Sequence, residues 1–342
     1  MLEKTNLRSI PLRASSFVTK LLRFLPTEVS HAFALHSLDL ISFLGIKLVK
    51  ENLKKEPIKI LGQNFKNRLG IAGGLDKDGE HINSLSGLGV AFLELGTATP
   101  RPQLGNKKPR LFRDTENLSL LNRMGFNNKG VDYVVSKIKK RRSKAIIGIS
   151  IGKNFDTPIE RAEEDYLECL FKAYEFSDYI ALNISSPNTN NLRNLEKPRR
   201  LVKLITLIKG AQEQLKKQHG YKPIFLKLSP NTERIKQKEL SEVILDMEVD
   251  GIICSNTTSN HDFSEQGGLS GKLLFDKATE CLSSYRELLG GSFPIIASGG
   301  VMGIETYQQK IEAGANLVQI YTGMIYKGPG LIPKLVSIQE KD

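Results

Sequence analysis

The stretch Tyr179-Ile-Ala-Leu-Asn-Ile-Ser185 is a short apolar, strand-forming run that ends in polar residues. Continuous apolar runs of this length are typical of strands buried on both faces, as in parallel sheets. Seven similar runs occur in the chain, and each ends in Gly, Ser, Thr or Asn. They lie at residues 69–73, 91–96, 145–152, 224–229, 251–257, 294–300 and 316–322.

Amphipathic patterns with helical periodicity separate several of these runs, at residues 131–140, 162–176, 201–217, 240–247, 277–289 and 304–313. Eight alternations of strand and helix favour an α/β fold of the (β/α)8 TIM barrel type over a doubly wound sheet. No GxGxxG motif follows the first run, which counts against a Rossmann fold. Residues 100–128 are polar and rich in Gly and Pro, and they predict an extended loop over one end of the barrel.

The composition excludes several classes of protein. The 342 residues carry 49 Lys and Arg against 37 Asp and Glu, a net charge of +12, and 40% are hydrophobic, as in a globular protein. No basic run or basic–aromatic pattern indicates a nucleic-acid partner. Cys169, Cys254 and Cys281 stand far apart, so the sequence predicts no disulfide framework, no zinc site of cysteines and no iron–sulfur cluster. No other metal site is predicted. A reducing compartment fits this pattern.

The apolar pattern near the N-terminus predicts a helical hairpin over residues 1–55, followed by a barrel domain at residues 56–342. Within residues 16–50, Phe17, Leu21 and Leu25 recur at helical spacing, Pro26 interrupts the chain, and a second apolar helix follows. Asp39 and Lys47 interrupt the most apolar stretch, so no membrane span is expected. Two interpretations remain open: a hairpin packed on the core, or a hairpin in the bilayer interface with its basic margins facing anionic lipid.

Functional residues of such barrels gather at the C-terminal ends of the strands. The first strand is followed by Gly73, Gly74, Leu75, Asp76 and Lys77. Adjacent glycines allow a close approach of backbone to a ligand, and Lys77 brings a charge to it. An ordinary glycine turn is the alternative interpretation.

Three further loops carry amides and hydroxyls. Asn122, Arg123, Met124, Gly125 and Phe126 belong to a loop that is suited to reading the polar edge of a planar ligand. The fourth strand ends at Asn183 and Ser185, and Ser186 follows on a turn before Pro187. A serine at this position could move a proton in a dry site. No GxSxG motif surrounds it, which argues against an acyl-transfer triad. The sixth strand ends Ser255-Asn256-Thr257-Thr258.

The remaining strands indicate a phosphorylated cofactor. Lys227 lies within a buried apolar run, where a lysine is costly unless it meets an anion. Strands seven and eight end in glycines and hydroxyls, at the usual phosphate site of such barrels. FMN fits this pattern, with Lys227 near the flavin N1–O2 edge. Pyridoxal phosphate is the alternative, with Lys227 as a Schiff-base lysine.

At these residues the sequence closely resembles the dihydroorotate dehydrogenase family, and within it the class 2 enzymes, which are quinone-dependent and membrane-associated. The resemblance covers nearly the whole chain, and its motifs are jointly specific. The matching stretches are residues 74–79, 96–97, 99–103, 122–128, 183–189, 267–271, 299–300 and 318–322.

The resemblance implies an FMN enzyme that oxidises dihydroorotate to orotate in pyrimidine (UMP) biosynthesis, with Ser186 as the catalytic base. Class 1 enzymes use a cysteine there, so Ser186 indicates class 2. The implied substrate contacts are Lys77, Asn122, Arg123, Met124, Gly125, Phe126, Asn183, Asn188, Asn256 and Thr257. The implied FMN contacts are Gly73, Gly74, Leu75, Asp76, Lys77, Thr97, Ser150, Asn183, Lys227, Ser255, Gly271, Gly300, Tyr321 and Thr322.

Ser150 and Ser255 depart from the family pattern, where Asn and Thr are usual, but both retain a hydrogen-bonding group. For the second half-reaction, the resemblance implies that ubiquinone or menaquinone enters between the N-terminal helices, near His31 and Arg113. It implies peripheral membrane contact through residues 16–50, and a monomer is expected. No mitochondrial presequence is recognised before the hairpin, so the cytoplasmic side of a bacterial inner membrane is the expected location. Two alternatives remain: a soluble FMN barrel dehydrogenase that passes electrons to fumarate or a partner chain, and a barrel that has lost its chemistry.

Overall fold

The strands of the protein form one barrel and two small antiparallel sheets. The computed structural model describes residues 19, 21–46 and 57–338. In chain order the strands are β1 (Ile58–Ile60), β2 (Gln63–Phe65), β3 (Leu69–Ile71), β4 (Phe92–Ala98), β5 (Leu111–Asp114), β6 (Ser119–Asn122), β7 (Ile146–Ile151), β8 (Tyr179–Asn183), β9 (Ile224–Leu228), β10 (Gly251–Cys254), β11 (Gly268–Gly271), β12 (Ile295–Ser298) and β13 (Leu317–Ile320).

Eight of these strands close into a parallel barrel in the order β3-β4-β7-β8-β9-β10-β12-β13, and β13 pairs back with β3. Each of the eight coincides with one apolar run of the sequence, and only β4 extends past its run, by two residues. The predicted (β/α)8 barrel is therefore confirmed, and the doubly wound sheet is excluded.

Helices surround the barrel and bury one face each. They are α1 (Thr27–Phe43), α2 (Ile82–Ser86), α3 (Val131–Lys139), α4 (Ala162–Ala173), α5 (Pro198–His219), α6 (Arg234–Asp246), α7 (Phe275–Leu289), α8 (Ile304–Glu312), α9 (Thr322–Lys327) and α10 (Leu331–Val336). In α3, for example, Val131, Val134, Val135 and Ile138 are buried, the spacing of a single helix face. All six helical patterns are confirmed, with ends that differ by a few residues.

Aromatic rings fill the N-terminal half of the barrel interior. The ring centroid of Tyr179 lies 6.4 Å from that of Phe92 and 5.4 Å from that of Phe225. A Cβ on Gly148 would overlap the ring of Tyr179, and one on Gly251 would overlap the ring of Phe225. Glycine on these strands therefore makes room for large interior side chains.

The next layer of the interior is polar. Side chains two positions apart on a strand share a face, so Glu94 lies above Phe92 and Lys227 lies above Phe225. Gln319 occupies the corresponding position on β13, and all three side chains are buried. This layer forms the floor beneath the C-terminal mouth of the barrel.

Residues 100–128 contain more regular structure than the predicted loop. Strands β5 and β6 pair antiparallel within this segment, and β11 joins them in a three-stranded sheet. The sequence pattern misses these strands because polar residues, Gly and Pro surround them. The segment does cover the C-terminal mouth, since Leu111, Leu120 and Asn122 line the cavity there.

The N-terminal helix is present, and it packs against the barrel. Helix α1 begins after Pro26 and contacts α2 and β5. Its Leu35 and Leu38 belong to the main hydrophobic core. Several large apolar side chains of this segment are nevertheless exposed: Phe24, Val29, Phe33, Leu40, Phe43 and Leu44. Among the described residues, no helix combines the length and the apolar character needed to cross a bilayer. Phe17 and residues 47–50 of the predicted hairpin lie outside the described residues.

Candidate functional site

A large cavity opens at the C-terminal ends of the barrel strands. It encloses about 1070 Å³, including the open space at its mouth. Most of the residues predicted for substrate or cofactor line it. They are Gly73, Gly74, Lys77, Thr97, Asn122, Met124, Gly125, Phe126, Asn183, Ser186, Asn188, Lys227, Ser255, Asn256, Thr257, Gly271, Gly300, Tyr321 and Thr322. The barrel thus brings together residues that span most of the chain.

Four residues predicted as contacts do not line this cavity. The Asp76 carboxylate accepts backbone N–H groups of the following turn, and Leu75 faces a second cavity described below. The guanidinium of Arg123 donates to the carbonyl of Pro109 and lies over a phenylalanine ring. Ser150 lies behind Thr97, and their hydroxyl oxygens are 2.9 Å apart. These side chains support the site rather than form its surface.

The floor of the cavity holds a buried ion pair. The Lys227 ammonium donates to the carboxylate of Glu94 at 2.9 Å, and Gln319 Nε2 donates to the other carboxylate oxygen at 2.7 Å. Both charged side chains are almost completely buried, and a buried lysine needs such a partner. The sequence predicts an anion beside Lys227, and the protein itself supplies one, the carboxylate of Glu94.

Amide side chains that line the cavity form an amide network in two parts. Asn183 Nδ2 donates to Thr97 Oγ1 at 2.8 Å, while its Oδ1 accepts Asn256 Nδ2 at 3.0 Å. Asn188 Nδ2 donates to Asn122 Oδ1 at 2.9 Å. These bonds fix the orientation of each amide, so that the remaining donors and acceptors are held ready for a polar ligand.

Ser186 lines the cavity on the loop after β8 and is 6% exposed. Its Oγ accepts a long hydrogen bond from the backbone N–H of Asn188, at 3.3 Å. Among the described residues no histidine or carboxylate is hydrogen-bonded to this oxygen. The site therefore offers a dry hydroxyl without an adjacent general base.

Lys77 brings positive charge to the same cavity. Its ammonium donates to the carbonyl oxygen of Gly74 at 3.0 Å. Burial, together with the nearby guanidinium of Arg110, lowers the pKa of Lys77 to about 8. At neutral pH the group remains largely protonated, so it can meet an anionic ligand.

Another part of the cavity lining consists of glycines and hydroxyls from the strand β11 and the loops that follow β12 and β13. Gly271 and Gly300 have positive φ angles of 94° and 80°. A Cβ on Gly300 would overlap the backbone of Phe275, so only glycine fits this loop. The hydroxyl oxygens of Ser270 and Thr322 lie 2.9 Å apart here. Backbone N–H groups and hydroxyls that line a cavity in this way suit a phosphate group.

A second cavity lies between α1 and the barrel. It encloses about 1160 Å³, including open space, and its lining is predominantly apolar. Leu35, Leu38 and Met324 contribute to it, and Leu111 lines both this cavity and the first. The two cavities are also adjacent along the chain, since Gly74 lines the first and Leu75 the second. A thin partition therefore separates a polar cavity from an apolar one.

His31 and Arg113, both predicted near a quinone, line this apolar cavity. His31 Nε2 donates to the carbonyl of Leu75 at 3.0 Å. Burial and the charge of Lys77 lower the pKa of His31 to about 3, so its ring is neutral. Because Nε2 carries the proton, Nδ1 is left as an acceptor.

Arg113 also holds the N-terminal segment in place. Its guanidinium donates to the carbonyl oxygens of Arg23 and Leu25, at 2.7 and 2.8 Å. The Nε groups of Arg23 and Arg113 are buried without a hydrogen-bond partner in the described part of the chain. Both arginines line the cavity, so two unpartnered donors lie beside its apolar lining.

Both cavities also contain residues that were not predicted from the sequence. Glu94 and Gln319 are polar residues within the apolar strands β4 and β13. That interruption is the sequence feature by which they could have been predicted. Arg23 and Tyr326 line the apolar cavity from distant parts of the chain, with the guanidinium carbon 5.2 Å from the ring centroid. No local pattern marks that contact.

The chain is similar to known proteins over most of its length. A family model described as dihydroorotate dehydrogenase matches residues 57–340. A protein named dihydroorotate dehydrogenase (quinone) from Acinetobacter baumannii is 44% identical over 330 residues, which is 94% of this chain and 98% of that protein. One of the same name from an Azoarcus species is 46% identical over 321 residues, covering 91% and 94%.

Solved structures agree with these matches. The crystal structure of an Eimeria tenella dihydroorotate dehydrogenase in complex with ferulenol superimposes with a TM-score of 0.83 at 32% identity, covering 90% of this chain and 89% of that one. The ligand-free form gives a TM-score of 0.81 at 33% identity, covering 89% and 92%.

Proposed function

Because the chain belongs to the dihydroorotate dehydrogenase family, we propose that it oxidises dihydroorotate to orotate, with FMN as hydride acceptor and a quinone as final electron acceptor. This reaction is a step of de novo pyrimidine biosynthesis. The observation that carries the proposal is the pair of adjacent cavities, one polar and one apolar, that share Leu111. A polar acid and a lipid-soluble acceptor could each reach a cofactor from their own side.

The polar cavity has the chemistry for FMN. Its lining combines glycine loops and hydroxyls with amide side chains and a lysine, as a phosphorylated planar ligand requires. Gln319 lines this cavity, and its Oε1 is buried without a partner among the described residues, which suits a ligand that brings a donor to this depth. Thr97, Asn183, Lys227 and Ser255 would hold the ring system, and the loops of Gly271, Gly300 and Thr322 the phosphate. When bound, FMN supplies a two-electron carrier that takes hydride from the substrate and delivers electrons to the quinone.

The substrate is held by amides and a cation. Lys77 would neutralise the carboxylate of dihydroorotate, while Asn122, Asn188 and Asn256 would read the polar edge of its ring. The hydrogen bonds within the amide network fix these groups before the ligand arrives. Orientation of the substrate therefore needs little rearrangement, which favours catalysis.

We assign the role of catalytic base to Ser186. In the oxidation, the Ser186 oxygen would take the proton from C5 of dihydroorotate and release its own proton to solvent at the open mouth of the cavity. The hydride of C6 would pass to FMN, and the C5–C6 double bond would form. A serine hydroxyl is a weak base in water, and it needs both a dry site and a proton relay. Ser186 is buried, which meets the first of these requirements. The reaction should accelerate with rising pH, since the serine must give up its own proton.

The apolar cavity is suited to the quinone. Its lining would hold the hydrophobic part of ubiquinone or menaquinone, and the free Nε donors of Arg23 and Arg113 would meet a quinone carbonyl. His31 Nδ1, an acceptor, would instead suit the hydroxyl of the reduced quinone. The apolar side chains exposed on α1 would rest on the membrane in which quinone dissolves. We propose a monomer bound to the cytoplasmic face of a bacterial inner membrane.

One experiment tests both half-reactions. Dihydroorotate is added anaerobically to the purified, FMN-loaded protein, and the flavin absorbance is followed. We expect bleaching on addition of substrate and return of the oxidised spectrum when a quinone is added. A flavin that stays oxidised would contradict the dehydrogenase activity. A flavin that is reduced but reoxidised by fumarate and not by quinone would contradict the proposed acceptor.

A further inference from the structure

Three side chains form a cluster where helix α1 meets the barrel, outside both cavities. They are His36 and Asp39 of α1 and His81, which directly precedes α2. One potential ligand atom from each lies within 4.8 Å of those of the other two. We propose that this cluster binds a divalent transition-metal ion of the Zn²⁺ type, which joins α1 to the barrel.

The donor set selects the class of metal. Two imidazole nitrogens and one carboxylate oxygen are ligands that Zn²⁺ prefers, and three protein ligands leave a fourth position for water. Mg²⁺ and Ca²⁺ favour sites built from oxygen ligands alone. The site would therefore discriminate against these more abundant ions.

Two of the three ligands are already in contact. His81 Nδ1 donates to Asp39 Oδ2 at 2.6 Å. Ser84 Oγ donates to the other carboxylate oxygen, Oδ1, at 2.5 Å, which orients the Asp39 carboxylate. A metal ion would take the place of the proton between Asp39 and His81, and this proton would be released to solvent. The hydroxyl of Ser84 would remain as an outer partner of the carboxylate, as is usual around metal ligands.

His36 supplies the third ligand and the route from solvent. Its side chain is exposed, and its ring centroid lies 5.2 Å from that of His81, with 66° between the ring planes. Rotation about its side-chain bonds can bring a ring nitrogen toward the ion, to the bond length of about 2.0–2.1 Å expected for zinc and imidazole.

A metal-free hydrogen-bonded clamp of Asp39, His81 and Ser84 is the competing interpretation. In that clamp His36 has no part, because it makes only a ring contact with His81. His36 therefore separates the two interpretations, and its exposed position makes a substitution there compatible with the fold.

The test uses the full-length, FMN-loaded protein without a polyhistidine tag. Zn²⁺ binding is measured by competition with a chromophoric chelator, and Co²⁺ is added in parallel to record its visible absorption. We expect one equivalent of Zn²⁺, a tetrahedral Co²⁺ spectrum that Zn²⁺ abolishes, and a rise in the thermal unfolding midpoint with Zn²⁺. Excess Mg²⁺ should not compete.

The matched variants are His36→Ala and, as a control, His219→Ala at the distant end of α5. His36→Ala should weaken Zn²⁺ binding by at least about tenfold and abolish the thermal shift, while His219→Ala should leave both unchanged. Asp39→Asn should also weaken binding, because it removes the ligand charge. Absence of stoichiometric Zn²⁺ binding, or equal binding by His36→Ala, would overturn the proposal. The metal titration needs no substrate, so its outcome is independent of the dehydrogenase activity.

Discussion

The ammonium nitrogen of Lys227 lies 2.9 Å from the carboxylate of Glu94, across the interior of the barrel. The two residues belong to β9 and β4, which are not neighbours in the barrel order. Gln319 from a third strand completes the arrangement by donating to the same carboxylate. The floor of the candidate flavin site is therefore held by side chains from three strands that are not neighbours in the barrel.

Loss of Glu94 should destabilise the protein. Glu94→Gln leaves the Lys227 charge buried without its partner, and breaking a buried pair in this way costs about 3–5 kcal/mol. We expect a correspondingly lower free energy of unfolding in urea for the FMN-loaded protein. Asp156→Asn is the control, since its pair with Arg101 is exposed and should contribute less than about 1 kcal/mol. Equal stability of the two variants would show that the buried pair does not support the fold.

This pair also shows how far sequence reasoning extends. A lysine within an apolar strand predicts an anion nearby, and that inference holds for Lys227. Whether the anion is a ligand or Glu94 depends on which strands face each other across the barrel, and strand periodicity carries no such information. The barrel strands themselves were predictable, because each apolar run is a local pattern. Strands β5 and β6 were not, because their apolar residues are few and their stability comes from pairing with each other and with β11.

The same limit applies to the site. Lys77, Asn183 and Ser186 could be predicted because polar residues at strand ends are conspicuous against apolar runs. The hydrogen bonds among the amides, and the contact of Arg23 with Tyr326 over a separation of 303 residues, arise only from tertiary packing.

Ser186 should control proton transfer without holding the cofactor. In Ser186→Ala we expect FMN binding to persist and turnover near neutral pH to fall by at least about a hundredfold, the range for a general base. Ser186→Cys should retain more activity and shift its pH profile downward, because a thiol has a reference pKa of about 8.5. Stopped-flow measurement of flavin reduction by dihydroorotate gives the rate for each of the two variants. Near-normal reduction in Ser186→Ala would assign the base elsewhere.

Substrate affinity should fall in alkaline solution because of Lys77. Its pKa of about 8 means that the ammonium is charged at pH 7 and mostly neutral at pH 9. An anionic ligand should then bind about tenfold more weakly at pH 9 than at pH 7, as the charged fraction declines. The dissociation constant of orotate, followed by perturbation of the flavin spectrum, tests this. In Lys77→Met we expect weak binding that is independent of pH over this range; a flat profile for the unmodified protein would refute the assignment.

The exposed apolar face of α1 should carry membrane binding. Phe33 and Phe43 are 56% and 82% exposed. Burial of a phenylalanine side chain is worth about 2 kcal/mol, so Phe33→Ser/Phe43→Ser should reduce partitioning onto anionic vesicles by more than about tenfold. Leu104→Ser is the control, because Leu104 is 90% exposed but lies outside α1. Vesicle sedimentation measures the bound fraction, and a similar loss in both variants would argue against α1 as the contact.

Filling the apolar cavity should block the quinone and spare the substrate. Ala34 lines this cavity, whereas Ala32, two positions earlier on the same helix, is exposed. A phenylalanine at position 34 would project into the space that we assign to the quinone, and the polar cavity would be untouched because Ala34 is not among its lining residues. In Ala34→Phe we therefore expect an unchanged rate of anaerobic flavin reduction by dihydroorotate and a KM for quinone that rises at least about tenfold, the cost of losing one well-packed apolar contact. Ala32→Phe adds the same side chain to the same helix. It should alter neither the rate of flavin reduction nor the KM for quinone. If both variants reduce quinone normally, the quinone binds elsewhere; if Ala34→Phe also slows flavin reduction, the two cavities are not independent.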